Sequence, residues 1–429
     1  MSNKQQSTTI TLPRGALDLT YRSHSITAEH KSQKISYQLE DLLGFAQRIN
    51  PKRAFLFVSK VLGRHIPVAP SLMRQAFTDL ADIVPNDLPE PILVIGMAET
   101  AVGLSAGVHQ VLQARYPQAL LLNSTRHAQH DDGSNMDDAP CLFTTFREDH
   151  SHASQHLIYQ SSDATIQAQM LASKTLIMVD DEASTGNTCV NVVTALRHAG
   201  LTQLEQVHLT TLVDWSLGQA DADDSIAQRL PDIDFYRHHL LSGAWQWTDA
   251  PNPEPITMPS VDTTDAGSQT LGHTGDWGRF PTLDSRNGFD EYLLGFQAAF
   301  AQFTGQTRFN IAQLPQKVLI LGSNEFVWLP FLLAEWLETH TVAASTESAP
   351  IVKFSALTRS PIALGGAITT MLSFNDNYGL GMTNFAYNVA PTDWDLIVLC
   401  VETAPDSVDA LWQGLDNVLV VSPMPKNTF

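Results

Sequence analysis

The sequence has only three cysteines among its 429 residues, and Cys141, Cys189 and Cys400 lie far apart. An odd number of widely spaced cysteines builds neither a disulfide framework nor a paired zinc site, which indicates a reducing, cytoplasmic environment. Basic residues are also few, with 25 Lys and Arg against 45 Asp and Glu and a formal net charge of −20. Such a chain is not expected to bind nucleic acid or an anionic membrane surface through its charge.

Long hydrophobic runs are missing as well. No stretch of about 18 uncharged apolar residues occurs, and the first residues lack the apolar core of a signal peptide, so no membrane span is expected. The 43% of hydrophobic residues fall in short runs that can build a large buried core. At roughly 100–200 residues per domain, the length indicates two or three domains.

A polar segment with four prolines divides the sequence into two halves. Its composition is unsuited to a helix or a central strand and is typical of a linker. We therefore predict a first domain over residues 1–247, a linker over residues 248–275 and a second domain over residues 276–429.

In both halves, short apolar runs alternate with helical patterns. The runs of the first half are Pro91–Gly96, Ala119–Thr125, Thr175–Val179 and Gln206–Asp214. Those of the second half are Lys317–Gly322, Ile351–Ser360 and Asp395–Glu402. Strands that alternate with helices predict an α/β fold, with a mostly parallel sheet flanked by helices in each half.

The two halves also resemble each other in order. Gly96 and Gly322 end the first strand of each half, and Arg126 and Arg359 follow the second strand. We interpret the second half as a degenerate duplicate of the first, because it lacks an acidic motif described next. The alternative is that two unrelated α/β domains look alike at this level of detail.

The segment TLIMVDDEASTGNT, residues 175–188, carries the clearest chemical signal. A buried strand ends in Asp180 and Asp181, and a loop of small residues then opens a helix. The N–H groups of such a loop and the helix N-terminus favour an anion, while Gly186 can adopt a positive φ. The adjacent carboxylates would repel that anion, so they suit neutral hydroxyls or a cation such as Mg²⁺ held through water.

This segment resembles the phosphoribosyl-diphosphate (PRPP) motif of type I phosphoribosyltransferases. Two acids that merely cap the helix would not account for the strand, the acid pair and the Thr-Gly-x-Thr sequence together. The resemblance implies a type I phosphoribosyltransferase fold and Mg²⁺-dependent transfer of 5-phosphoribosyl from PRPP to a base-like acceptor, or the reverse reaction. It implies catalytic roles for Asp180 and Asp181, which would contact Mg²⁺ through water. It also implies PRPP contacts from Ala183, Ser184, Thr185, Gly186, Asn187 and Thr188.

Other elements of that family have counterparts here. A diphosphate loop is expected after the strand at Pro91–Gly96, with PRPP contacts from Ala98, Glu99, Thr100 and Ala101. Arg126 is the expected cation for the diphosphate, unless it is an ordinary surface arginine.

A hood that closes over the diphosphate is expected between about His127 and His156. Arg147, Glu148 and His150 are its candidate catalytic residues, and a solvated polar loop is the alternative. The His-x-His spacing in this segment lacks a third ligand, so a metal site is not predicted.

Two further features bear on the substrate. Ser184 stands where enzymes that use 6-oxopurines generally have an acid, which argues against hypoxanthine or guanine as the acceptor. Upstream, residues 50–70 hold a cluster of basic residues in an otherwise acidic chain: Lys52, Arg53, Lys60, Arg64 and His65. This basic cluster would suit an anionic ligand, a subunit contact or an ordinary surface.

Thr358-Arg359-Ser360-Pro361 extends the resemblance to a two-domain subfamily whose C-terminal domain is named TRSP. Members are encoded near tellurite-resistance genes, and their first domain resembles orotate phosphoribosyltransferase. The resemblance implies a homodimer that makes a nucleoside-like compound in a stress response. Two alternatives remain open: a non-catalytic, PRPP-binding regulatory protein, and a hydrolytic enzyme.

Overall fold

The computed structural model describes residues 5–26, 35–49, 53–129, 141–147, 155–218, 225–261, 270–271, 278–344 and 349–423. The strands of the first half are β1 (Gln6–Leu12), β2 (Gly15–Ser23), β3 (Ser25–Ile26), β4 (Ile35–Ser36), β5 (Leu43–Gln47), β6 (Phe55–Ser59), β7 (Ile92–Gly96), β8 (Leu120–Asn123), β9 (Ala128–Gln129), β10 (Leu142–Arg147), β11 (Gln155–Tyr159), β12 (Thr175–Ala183), β13 (Gln206–Asp214) and β14 (Asp234–Asp249). Its helices are α1 (Leu39–Leu42), α2 (Pro70–Asp82), α3 (Val102–Leu112), α4 (Ala164–Leu171), α5 (Asn187–Ala199) and α6 (Ser225–Arg229).

The second half continues this numbering. Its strands are β15 (Thr270–Leu271), β16 (Lys317–Gly322), β17 (Ile351–Ala356), β18 (Met371–Asn375), β19 (Thr383–Tyr387), β20 (Leu396–Cys400) and β21 (Val418–Val421). Its helices are α7 (Phe289–Phe303), α8 (Trp328–Ala344) and α9 (Ala410–Gln413).

A seven-stranded sheet forms the centre of the first domain, in the order β1-β2-β14-β13-β12-β7-β8. The five strands from β14 to β8 are parallel, and β2 and β1 add an antiparallel edge. Strand β7 is buried along its whole length, as is the first part of β12, because apolar side chains pack on both faces of the sheet. The predicted parallel α/β fold is confirmed.

The second domain has its own four-stranded parallel sheet, in the order β17-β16-β20-β21. The start of this domain lies against strand β8 of the first domain, where Leu121 and Thr282 exchange backbone hydrogen bonds of 2.8 and 2.9 Å. Strand β14 ends at Asp249, just past the predicted end of the first domain. The domain and linker boundaries stay predictions.

The two sheets share one topology. In chain order, β7, β8, β12 and β13 of the first domain correspond to β16, β17, β20 and β21, and both sets have the same spatial order. The hairpin β10–β11 lies between the second and third of these strands, and the hairpin β18–β19 holds the same place in the second domain. These shared features favour duplication over two unrelated α/β domains.

The backbone contacts of the two hairpins agree with this correspondence. Thr125 exchanges two backbone hydrogen bonds with Leu157 of β11, and Thr358 does so with Phe385 of β19. Thr125 and Thr358 both follow the second strand of their sheet. The equivalence therefore extends beyond the sheets to the hairpins.

One apolar core joins the two domains. Helix α2 of the first domain packs against α8 of the second, and the buried Phe77 lies 5.3 Å from Phe331 and 6.2 Å from Trp328 between ring centroids. Arg74 makes two hydrogen bonds of 2.6 and 2.8 Å to Glu335 beside these rings. No helix within the described ranges is long and apolar enough to cross a bilayer.

We predict that Phe77→Ala lowers the free energy of unfolding by about 3–5 kcal/mol, because it leaves a cavity between the domains. Urea denaturation followed by tryptophan fluorescence measures this loss, and a shared core predicts one transition for the whole chain. Leu72→Ala on the same helix is the control, because Leu72 is 45% exposed, and its cost should be below about 1 kcal/mol. Two separate transitions in the wild-type chain would contradict the shared core.

Candidate active site

A cleft lies at the carboxyl end of β12, where the chain turns into α5. It has a volume of about 610 Å³ including its opening to solvent, and all six residues of the predicted phosphate loop, 183–188, line it. Strand β12 ends at Ala183 and α5 begins at Asn187, so the loop between them has only three residues. The helix N-terminus therefore points its partial positive charge into the cleft.

Gly186 makes this short loop possible. It caps α5 with a φ of +72°, a conformation that side chains with a Cβ rarely adopt. A Cβ atom at this position would also lie 2.0 Å from Cδ1 of Ile226. The loop thus needs glycine here both for its backbone angle and for its packing.

The acidic residues of the motif divide between the two faces of β12. Asp180 and Glu182 line the cleft, whereas Asp181 is not among its described lining residues. Side chains alternate along a strand, so neighbouring acids point to opposite faces. Burial, and then the charge of Glu182, raise the pKa of Asp181 to about 6.

Arg53 fixes the third acid of the motif, Glu182. Its guanidinium donates two hydrogen bonds of 2.7 and 3.2 Å to the Glu182 carboxylate. The guanidinium also lies 4.9 and 4.7 Å from the ring centroids of Phe55 and Phe57. Sequence analysis noted Arg53 in a basic cluster but did not place it against Glu182, because the two residues are 129 positions apart.

The predicted diphosphate loop follows β7, the strand beside β12. Val179 of β12 pairs with Gly96 of β7, so the acids and this loop begin at the same level of the sheet. A Cβ on Gly96 would lie 2.1 Å from Oγ of Ser105, which explains a glycine at the turn. Ala98 and Ala101 are buried, Thr100 is half-buried, and the Ala98 N–H donates a 3.0 Å hydrogen bond to Oγ of Ser124.

Glu99, in the middle of this loop, is buried and bound by arginines on two sides. Arg64 donates to one carboxylate oxygen, and Nε of Arg359 donates a 2.9 Å hydrogen bond to the other. Burial alone would raise the pKa of Glu99, but Arg359, Arg64 and Arg126 outweigh it and hold this pKa well below its usual range. The Glu99 carboxylate is therefore a charged partner of two arginines.

Arg126 belongs to a hydrogen-bonded chain that reaches the same loop. Its Nη2 lies 3.4 Å from Nε2 of the buried His156, whose Nδ1 lies 2.9 Å from Oγ of Ser124. Because a guanidinium only donates, His156 Nε2 accepts and the Nδ1–H donates to Ser124. His156 and Ser124 thus connect the Arg126 guanidinium to the backbone N–H of Ala98. Arg126 is half-buried, so it is not an ordinary surface arginine.

The predicted hood, residues 127–156, includes β10 and the start of β11, and β10 packs on α5. Arg147 is exposed, and its carbonyl accepts a 3.0 Å hydrogen bond from Nδ2 of Asn191 in α5. Glu148 and His150 lie outside the described residues, so the structure places neither of them. Within the described part of the chain, no three His, Cys, Asp or Glu side chains converge as a metal-binding group.

Glu325 of the second domain contacts the first domain next to this site. It accepts hydrogen bonds of 2.6 Å from Oγ1 of Thr125 and 2.8 Å from the backbone N–H of Arg126. Arg279 donates to Glu325 at 3.2 Å and makes two 2.7 Å hydrogen bonds to Glu402. These contacts join residues up to 200 positions apart, so no local sequence signal predicts them.

Comparison with known proteins agrees with this geometry. Residues 42–244 match the family described as phosphoribosyl transferase, and residues 284–419 match the TRSP domain that follows it in that family. No match was found among curated proteins.

Several solved structures are similar to part of this chain. Adenine phosphoribosyl transferase from Trypanosoma brucei is 12% identical, with 47% of this chain and 77% of that chain covered and a TM-score of 0.30. The adenine enzyme from Rhodothermus marinus is 15% identical, with coverage of 46% and 93% and a TM-score of 0.29. Orotate phosphoribosyltransferase from Aeropyrum pernix is 16% identical, with coverage of 44% and 78% and a TM-score of 0.24.

The two family matches cover both predicted domains and include the phosphate loop, the acid pair and the Thr-Arg-Ser-Pro signature. The chain therefore belongs to the phosphoribosyl transferase family, in the form that carries a C-terminal TRSP domain.

Proposed function

We propose that the protein is a Mg²⁺-dependent transferase that moves 5-phosphoribosyl from PRPP to a base-like acceptor, or catalyses the reverse reaction. One observation carries this proposal: the phosphate loop and the diphosphate loop follow adjacent parallel strands whose ends are in register at Val179 and Gly96. Adjacent strands lie about 4.8 Å apart, so the two loops are spaced for the two ends of one small sugar phosphate.

Each end of PRPP has a suitable partner. The 5-phosphate fits the loop at the N-terminus of α5, where backbone N–H groups and the hydroxyls of Ser184, Thr185 and Thr188 can donate to it. The diphosphate fits the loop 97–101, beside the guanidinium of Arg126. Asp180 lines the cleft beside the phosphate loop and suits the ribose hydroxyls.

The donor set fits Mg²⁺ as a partner of the substrate rather than as an ion in a full protein cage. Carboxylate oxygens are the ligands this cation prefers, and Asp180, which lines the cleft, would hold it through water. The resemblance implies the same contact for Asp181, but strand alternation directs that side chain to the other face of β12. Bound Mg²⁺ would neutralise charge on the diphosphate.

In the reaction, a ring nitrogen of the acceptor donates its electron pair to C1 of the ribose. The C1–O bond breaks, diphosphate leaves with the electron pair of that bond, and any proton on the nitrogen passes to water. Positive charge develops on the ribose and negative charge on the diphosphate. The residues in place therefore act by positioning and electrostatics, with Asp180 at the ribose and Arg126 at the leaving group.

The family resemblance supports the remaining parts of the proposal. These are a homodimer, a cytoplasmic location and a nucleoside-like product that serves in a stress response such as tellurite resistance.

Replacing both acids, as Asp180→Asn with Asp181→Asn, should lower turnover by about 100-fold or more, because the developing ribose charge loses the Asp180 carboxylate that lines the cleft. The test is titration of Mg²⁺-PRPP followed by a diphosphate-release assay with a panel of bases. Asp234→Asn is the matched control, since Asp234 is exposed at the start of β14. Full turnover in the double variant would contradict the catalytic role, and wild-type binding without release from any base would favour a regulatory protein.

Gly186→Ala should weaken ribose 5-phosphate binding by about tenfold, because the new Cβ needs an unfavourable backbone angle and displaces Ile226. Calorimetric titration with ribose 5-phosphate measures the effect. Gly305→Ala is the matched control, as Gly305 also has a positive φ, +69°, but nothing lies within 4 Å of a Cβ there. Equal affinities of wild type and Gly186→Ala would place the phosphate elsewhere.

The raised pKa of Asp181 predicts a pH effect on the stability of the ligand-free protein. An unfolded aspartate has a pKa of about 3.9, against about 6 in the folded chain, so the protonated carboxyl stabilises the fold below about pH 4. That contribution is lost as the pH rises through 6. Thermal melting of wild type and Asp181→Asn from pH 4 to 7.5 should show wild type losing stability relative to the variant. Parallel curves would contradict the raised pKa.

A further inference from the structure

The shared topology of the two domains gives each of them equivalent residues, and these residues lie against each other where the domains meet. Glu99 and Glu325 are each the third residue after the glycine that ends the first strand, Gly96 and Gly322. Arg126 and Arg359 each follow a threonine that bridges to its hairpin. At the contact between the two domains, called the junction below, each of these residues binds the opposite domain. Arg359 of the second domain binds Glu99 of the first, and Glu325 of the second binds Thr125 and the backbone of Arg126.

Arg359 has donor capacity that the described residues do not use fully. Its Nε donates to Glu99, and its Nη2 lies 2.8 Å from the same oxygen but makes no aligned hydrogen bond within the described structure. The partner of Nη1 is Sδ of Met382 at 3.7 Å, and a thioether is a weak acceptor. The Arg359 side chain is only 9% exposed, so poorly matched N–H groups are costly unless a ligand supplies oxygen atoms.

The charge around Arg359 favours an anion. Four arginines meet three glutamates in the junction: Arg64, Arg126, Arg279 and Arg359 with Glu99, Glu325 and Glu402. Burial lowers the pKa of the neighbouring His127 to about 3, so this imidazole adds no charge at neutral pH. Among these described side chains the arginines outnumber the glutamates by one, inside a chain whose net charge is −20.

We propose that Arg359 of the second domain binds the diphosphate group of PRPP in the loop 97–101, so that the second domain completes the active site of the first. This rests on the function proposed above. The loop that Arg359 contacts is the expected diphosphate loop, and the incompletely used donors, the burial and the cluster of arginines all suit a polyanion. Arg359 is then a binding residue in the second half of the chain, and the Thr-Arg-Ser-Pro signature has a role in the chemistry.

The test compares three ligands on the full chain: PRPP with Mg²⁺, inorganic diphosphate, and ribose 5-phosphate. Arg359→Gln should weaken PRPP and diphosphate by about tenfold or more, and change ribose 5-phosphate by less than about twofold, because the 5-phosphate loop lies elsewhere. Arg359→Lys keeps the charge and should give intermediate affinities. It also keeps the test decisive if Arg359→Gln fails to fold.

Arg74→Gln is the matched control. It removes another paired arginine between the domains, the one bound to Glu335, without touching the loop 97–101. Its affinities for all three ligands should equal those of the wild type.

Glu99→Gln separates direct binding from a merely structural role of Arg359. If Arg359 binds diphosphate, removing the competing carboxylate should tighten diphosphate binding. If Arg359 only holds Glu99 in place, Glu99→Gln should weaken diphosphate as Arg359→Gln does, which would overturn the proposal.

Two other results would also count against it. Unchanged diphosphate affinity in Arg359→Gln, with a wild type that binds all three ligands, would overturn this inference alone. A wild type that binds neither PRPP nor ribose 5-phosphate would overturn the proposed function, and this inference with it.

Discussion

Glu99 brings a carboxylate into the interior between the two domains. A buried charge is strongly unfavourable unless it is paired, and here Arg64 and Arg359 pair it from opposite domains. Glu99 also belongs to the loop expected to hold the diphosphate. A side chain of the second domain therefore compensates part of the negative charge in a loop of the first domain. The two domains depend on each other at this loop.

The parallel sheet determines where the phosphate loop and the diphosphate loop lie. Because β7 and β12 are adjacent and parallel, the loops that follow them emerge at the same edge, as in other open α/β sheets whose ligands bind at the carboxyl ends of the strands. The hairpin β10–β11 packs on α5 over the same edge and contributes His156. The phosphate loop, the acids, the diphosphate loop and the hairpin thus lie at one edge of the sheet.

The second domain repeats this architecture but has changed its chemistry. Cys400 pairs with Gly322 as Val179 pairs with Gly96, so Val401 and Glu402 stand where the first domain has Asp180 and Asp181. Thr-Ala-Pro follows Glu402 in place of the phosphate loop. The glutamate and arginine that match Glu99 and Arg126 are retained, as Glu325 and Arg359. Their contacts show a different use, because each binds the opposite domain.

The sequence by itself determined the elements and the central motif. Apolar runs and the spacing of glycine, acids and hydroxyl residues are local features. The parallel α/β fold, the turn at Gly186 and the helix α5 that follows it could therefore be predicted from them. The tertiary structure decided which charges meet. The pairs Arg53–Glu182 and Arg359–Glu99 join residues 129 and 260 positions apart, and strand alternation rather than adjacency separates Asp181 from Asp180. Such pairing depends on how whole strands and domains pack, and a local sequence pattern does not contain this information.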